Sequence, residues 1–215
     1  DVTGVQTCAL PIYGRSSYVM SGDFNGDGGT ANDLIYIPKD KSEMYFQEYK
    51  SSFKDKDGNK VDVTVTADMQ ADAWEKYIQQ DDYLSNNRGK YAERNGVVLP
   101  NITRFDIGIS QEFYTEFFGS RNALELRLDL LNAGNLINKD WGVGQVLYTN
   151  QPLIVPSTSQ GGPAKADGTP QYRLRTTSSN LDANGNVQFI NKTFTNTVFL
   201  DDVYRFQLTI RYKFN

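Results

Sequence analysis

The last twelve residues constrain the fold more than any other stretch. From Tyr204 to Asn215 the chain alternates without a break. Tyr204, Phe206, Leu208, Ile210, Tyr212 and Phe214 are apolar or aromatic, while Arg205, Gln207, Thr209, Arg211, Lys213 and Asn215 are polar or charged. Successive side chains on a strand point to opposite faces, so this pattern predicts one strand with an apolar and a polar face. Soluble half-buried strands usually run to about 5–6 residues. A longer run with aromatics at both ends matches a tilted strand crossing a bilayer, with aromatics at the interfaces and aliphatics at mid-depth.

Two upstream runs repeat the pattern. Leu124, Leu126, Leu128 and Leu130 share one face, and Glu125, Arg127 and Asp129 the other. Phe105, Ile107, Ile109 and Phe113 oppose Arg104, Asp106, Gly108, Ser110 and Glu112. Gly119-Ser120-Arg121-Asn122 predicts a short turn between them. Pairing Phe118 with Ala123 sets odd residues opposite even ones, so both apolar rows fall on one face. Phe117 and Phe118 then join an aromatic girdle beside the turn. Weaker strands are predicted near 13–22, 144–155 and 170–177. Counting back from a descending last strand gives six strands, with the 119–122 turn on the short-loop side and the 23–102 and 178–202 connections on the other. The 156–169 connection is long for a short-loop side.

Charge, histidine and cysteine narrow the function classes. Lys+Arg is 22 and Asp+Glu 26, a net charge of −4. There is no basic clustering, so no nucleic-acid partner is expected. Histidine is absent and Cys8 is the one cysteine. This removes Ser-His-Asp and Cys-His catalysis, HExxH zinc sites and an intramolecular disulfide framework. No run of 18 apolar residues exists, so no transmembrane helix is predicted; this leaves a β-barrel open. The adjacent carboxylates Asp81-Asp82 and Asp201-Asp202 are poorly placed to share an acid–base task and are assigned to solvated loops. No GK[ST] follows the glycines at 26, 28 and 29. The chain carries no enzyme signature.

The 23–102 segment has structure of its own. A hairpin is predicted over 53–65 around Asp57-Gly58-Asn59. Thr66 then caps a helix from about 67 to 81, whose face of Met69, Ala73, Trp74, Tyr77 and Ile78 packs on that hairpin. Asp23, Asn25 and Asp27, followed by Gly28, resemble the first half of an EF-hand loop, in which alternate oxygens suit Ca²⁺. The twelfth position is Leu34 instead of Glu, with Asp33 the nearest substitute. The plainer reading is an Asx-rich turn bonding its own backbone. Asp55-Lys56-Asp57-Gly58-Asn59 and Asp182-Ala183-Asn184-Gly185-Asn186 are read as plain turns. Tyr36, Trp74, Tyr83 and Trp141 are loop aromatics that could touch a ligand, against the plainer reading of loop packing.

Several short motifs then occur in a telling order. They are Gly22-Asp23-Phe24-Asn25-Gly26-Asp27-Gly28, Asn32-Asp33-Leu34-Ile35-Tyr36-Ile37-Pro38, Tyr83-Leu84-Ser85 with Arg88-Gly89, and Ala92-Glu93-Arg94-Asn95-Gly96. Leu128-Asp129-Leu130-Leu131-Asn132, Gly134-Asn135-Leu136, Asn138-Lys139-Asp140-Trp141-Gly142 and Ile210-Arg211-Tyr212-Lys213-Phe214-Asn215 follow. Over 13–215 the chain resembles the C-terminal part of the TonB-dependent outer-membrane receptors of Bacteroidota, in the Oar-like group with a carboxypeptidase-regulatory-like domain. The resemblance implies an all-β fold: antiparallel strands from the C-terminal part of a transmembrane β-barrel, with 23–102 a long extracellular loop carrying the hairpin and one short helix. It implies a barrel of about 22 strands with a plugged lumen. It further implies nutrient uptake in the outer membrane of a Gram-negative bacterium. The partners it implies are outer-membrane lipid, TonB through an N-terminal part, an unknown nutrient and a surface lipoprotein. Many such barrels end on an aromatic, whereas here Phe214 is followed by Asn215. Residues 1–12 resemble a translated sequencing adapter, which would leave 13–215 as natural sequence. The competing readings are a soluble or surface β-rich Ca²⁺-dependent binding module and a passive porin.

Overall fold

The structure, a computed structural model, describes residues 14–117 and 120–214. Among these residues the fold is mostly β, with three helices of five residues or more, and no helix is long and apolar enough to cross a membrane. The chain divides into two compact units. One runs from Leu99 to Val146 and from Asn196 onward; the other holds Arg15–Val98 and Leu147–Thr195.

The first unit is built on a three-stranded antiparallel sheet. Ser120–Leu131 lies in the middle, with Ile107–Phe117 and Arg205–Phe214 at the edges. Phe117 stands opposite Ser120, so Phe113 pairs with Leu124, not with the Leu128 that a Phe118–Ala123 pairing requires. The register differs because residues 120–122 continue the strand instead of turning. Odd residues still oppose even ones, so the faces are those the alternation predicts. Phe118 and the side chain of Phe117, assigned above to a girdle, lie outside the described residues.

Asn122 pairs with Phe214 and Leu131 with Arg205, so the last strand neighbours the middle strand directly. The predicted intervening strands are therefore not members of this sheet. The 13–22, 144–155 and 170–177 runs yield short strands, among them Met20–Ser21, Leu153–Ile154 and Gln171–Leu174. These belong to the second unit, where Met20, Leu153 and Leu174 are buried. None sustains a two-faced alternation, and Pro152 interrupts the second. The long 156–169 connection thus stops being an anomaly. With three strands, the short connection and Phe214 lie at one end of the sheet, and every long stretch of chain departs from the other.

In the second unit the larger of two cores gathers Tyr18, Ile35, Ile37, Phe46, Trp74, Tyr77, Ile78 and Leu84. Three of its strand pairings are parallel, Leu153 with Met20, Gln171 with Tyr45 and Asn180 with Lys54, so this unit is not purely antiparallel. The helix Ala67–Gln80 starts where Thr66 Oγ1 accepts the Met69 amide at 3.3 Å. It presents Gln70, Trp74, Tyr77 and Ile78 to the core, while Met69 is exposed. It does not pack on the hairpin as predicted. Gln70 donates to the Gln47 carbonyl at 2.8 Å and accepts the Leu174 amide at 3.0 Å, which ties the helix to the central core. The hairpin Tyr49–Lys54 with Lys60–Val65 has its own small cluster of Phe53, Val65 and Val187. A second helix, Asp82–Asn86, and a third, Ala133–Ile137, add to the one predicted.

Two turns share one local design. Asp55 Oδ1 accepts the amides of Asp57 and Asn59, and Asp182 Oδ1 those of Asn184 and Asn186. Gly58 (φ +83°) and Gly185 (φ +82°) supply the left-handed residue each turn needs.

Candidate functional site

The three-stranded sheet has two unlike faces. One carries cross-strand rows: Phe113–Leu124–Tyr212, Gln111–Leu126–Ile210, Ile109–Leu128–Leu208 and Ile107–Leu130–Phe206. Those of the last strand are largely uncovered, Leu208 at 65 % exposed and Ile210 at 63 %, while Ile107, Leu126 and Leu130 are half-buried. Soluble proteins seldom leave so continuous an apolar surface bare. Tyr204 and Phe206 meet edge-on at one end of the last strand, and Tyr212 and Phe214 lie close at the other. An eleven-residue strand tilted as in outer-membrane barrels stands about 29 Å tall, enough for their apolar band of about 25 Å.

The opposite face is charged and paired. Lys213 Nζ lies 2.7 Å from Glu112 Oε2 and 3.0 Å from Glu125 Oε2, and Arg211 reaches Glu125 at 3.3 Å. Arg127 Nε donates to both Asp129 oxygens, at 2.9 and 2.8 Å. A Cβ on Gly108 would come within 2.7 Å of Asp129 Oδ1, so glycine leaves room for that carboxylate. Arg127, Asp129 and Arg211, with Asp106, Gln207 and Thr209, line a groove of about 500 Å³. Such pairs stabilise little each in water. Their consequence is a face that is charged and paired where the other is apolar and exposed.

Where the chain leaves the sheet, a polar knot holds the rim. Asp202, 4 % exposed, accepts from Arg104 Nη2 at 2.7 Å, the Gly144 amide at 2.9 Å, Thr197 Oγ1 at 2.7 Å and the Phe199 amide at 2.8 Å. Burial pushes its carboxyl up, but the Thr197, Gly144 and Phe199 hydrogen bonds and the Arg104 charge outweigh it and hold the group below the usual range. Arg104 Nε also donates to the Gly142 carbonyl at 2.7 Å. Asn132, left-handed at φ +50°, gives its amide to Asp106 Oδ1 at 2.7 Å. Asp202 is thus not on a solvated loop as predicted; only Asp201 is exposed.

The other carboxylate pair is corrected in the same way. Asp81 is 1 % exposed and Asp82 is exposed. Asp81 caps the second helix through the Leu84 amide at 2.8 Å and accepts Tyr18 Oη at 2.5 Å and Thr193 Oγ1 at 2.8 Å. Tyr18 and Tyr77 are pushed up by burial, Tyr77 to about 12. Adjacency in sequence carries no signal of this, because the side-chain partners Tyr18 and Thr193 come from 63 and 112 residues away.

The predicted cation loop is a tightly bonded turn. Asp23 Oδ1 accepts the Gly26 and Asp27 amides at 2.7 and 3.1 Å, and Oδ2 the Gly28 amide at 3.0 Å. Asp27 accepts the Gly29 amide at 2.7 Å, which lowers its pKa, and also Asn25 and Asn32 side chains. Asp33 Oδ2 accepts the Phe24 and Asn25 amides, closing the loop. The structure therefore brings Asp23, Asn25, Asp27 and Asp33 together, with their oxygens turned to backbone and amide donors. Among the described residues no group of three or more acidic side chains is arranged to hold a metal ion.

The four aromatics are not gathered at one place. Trp74 is 1 % exposed and stacks on Tyr77 at 5.6 Å, so it is core and cannot touch a ligand. Tyr36 packs edge-on against Tyr91 at 5.4 Å and donates to Glu43. Tyr83 accepts the Glu93 amide through its hydroxyl at 2.7 Å. Trp141, 52 % exposed, belongs to the first unit and lines a cleft of about 530 Å³ with Phe105 and Asp140. No family model, curated protein or solved structure matches the chain.

Proposed function

We propose that this chain is the C-terminal barrel segment of a TonB-dependent outer-membrane transporter for nutrient uptake. One observation carries the reading. Three strands of ten to twelve residues present a bare apolar face and an ion-paired face, with a short connection at one end and long ones at the other. In a membrane barrel the apolar face meets lipid, the charged face lines a wet lumen, and long loops stand outside the cell. Transferring the exposed part of these side chains to lipid favours insertion by about 1 kcal/mol each, at 1.5–3 kcal/mol for a whole side chain. Ile107–Phe117 and Arg205–Phe214 each have one edge without a partner strand among the described residues. Closure therefore needs further strands, as a longer receptor supplies.

TonB and a surface lipoprotein are the protein partners of this reading, and a nutrient its cargo. Sequencing the source DNA upstream of the Tyr13 codon tests it. A long open frame encoding a signal peptide, a plug and a TonB-contacting segment is the expected result. A nearby start codon with no plug would overturn it in favour of a porin or a surface binding module.

A further inference from the structure

The second unit contains a cleft of about 620 Å³, within the usual size of small-ligand sites. Its polar lining is Arg15, Ser17, Asn32, Arg94, Asn95 and Asn150, with a serine and three apolar residues beside them. No Asp or Glu lines it, although the whole chain carries −4. Asp27 meets the lining through Asn32, whose Nδ2 donates to it at 2.9 Å.

The two arginines differ from the other arginines whose side chains are described. Arg88, Arg104, Arg127, Arg205 and Arg211 each pair with a carboxylate. Arg173 and Arg175 donate to Gln47 Oε1 and the Gln151 carbonyl. Arg15 spends one nitrogen on the Asn95 carbonyl at 3.3 Å, and the Arg94 side chain has no partner among the described residues. The backbone that sets them together is held firmly. Arg15 pairs with Val98 across a short ladder, Asn95 is left-handed at φ +56°, and its amide donates to Ser17 Oγ at 2.7 Å. Two guanidinium forks with most donors unused therefore face one concave space. A guanidinium's planar fork matches the oxygens of carboxylate or phosphate in pairs.

We propose that this cleft binds a small ligand carrying two or more oxyanion groups. The assignment is independent of whether the chain crosses a membrane. Isothermal titration of the 215-residue chain in detergent, at constant ionic strength set with chloride, tests it with citrate, inorganic phosphate and sulfate as probes. One saturable site that chloride does not occupy is expected. Tighter citrate marks carboxylates as the ligand chemistry, and tighter phosphate marks phosphate esters. Arg94→Gln should weaken binding at least tenfold. Ala31→Glu, which adds a carboxylate to the lining and leaves both arginines in place, should do the same. Lys56→Gln makes the same charge change as Arg94→Gln at the exposed hairpin turn and should leave binding unchanged. No saturable binding of any probe, or an equal loss in Lys56→Gln and Arg94→Gln, would overturn the proposal.

Discussion

Leu208 and Gln207 are neighbours on one strand, and their substitution by arginine separates a lipid-facing surface from a water-facing one. Leu208 sits in a central row with Leu128 and Ile109, between aromatic pairs at both strand ends. At a bilayer midplane, arginine on the lipid face costs about 2–4 kcal/mol. Leu208 is 65 % exposed, so in water the same change forfeits only the third of its packing that is buried, about 0.5–1 kcal/mol. Gln207 faces the groove with Asp106 and Asp129, and Gln207→Arg should cost close to nothing. The assay is urea unfolding of the barrel-bearing protein refolded into short-chain phosphatidylcholine vesicles. Leu208→Arg should shift the folding equilibrium by about 30- to 700-fold, at 1.4 kcal/mol per tenfold, and Gln207→Arg should barely move it. Equal effects at the two positions, or a Leu208→Arg cost below 1 kcal/mol, would refute the lipid-facing assignment.

Three further outcomes follow from the polar networks. Asp202→Asn should destabilise the first unit by about 3 kcal/mol, the low end for breaking a buried pair, because Arg104 keeps 28 % exposure. Since the folded carboxyl titrates below its unfolded value near 3.9, the stability it adds is complete above that pH and fades as pH falls further; thermal melts by circular dichroism should show a flatter acid limb in the variant. Gly142→Ala should cost about 2 kcal/mol or more in the same melts, because Gly142 is left-handed at φ +68° and a Cβ would collide with Asn132 Oδ1. Tyr18, Tyr77 and Tyr172 ionise above their unfolded value near 10 because they are buried, so their contribution is whole below pH 10 and is lost as pH rises through 12; absorbance at 295 nm should show these phenols titrating late, with unfolding, and Tyr18→Phe should remove one of them.

What the sequence determined by itself was local or periodic. The faces of the three long strands follow from alternation alone, since any register of even against even keeps Leu128 and Leu208 on one side. The Thr66 cap and the Asp55 and Asp182 turns are likewise legible, because each bond closes within five residues. The tertiary structure decided which strands are neighbours. It set Arg205–Phe214 directly beside Ser120–Leu131 and sent the intervening short runs into another core. It also buried Asp81 and Asp202 while leaving Asp82 and Asp201 in water, and it set Arg15 beside the Asn95 carbonyl from 80 residues away. Short runs such as Tyr18–Ser21 carry no lasting period, and a carboxylate's burial depends on donors that chain spacing does not announce. The alternation of a long strand, by contrast, repeats the same instruction at every second residue.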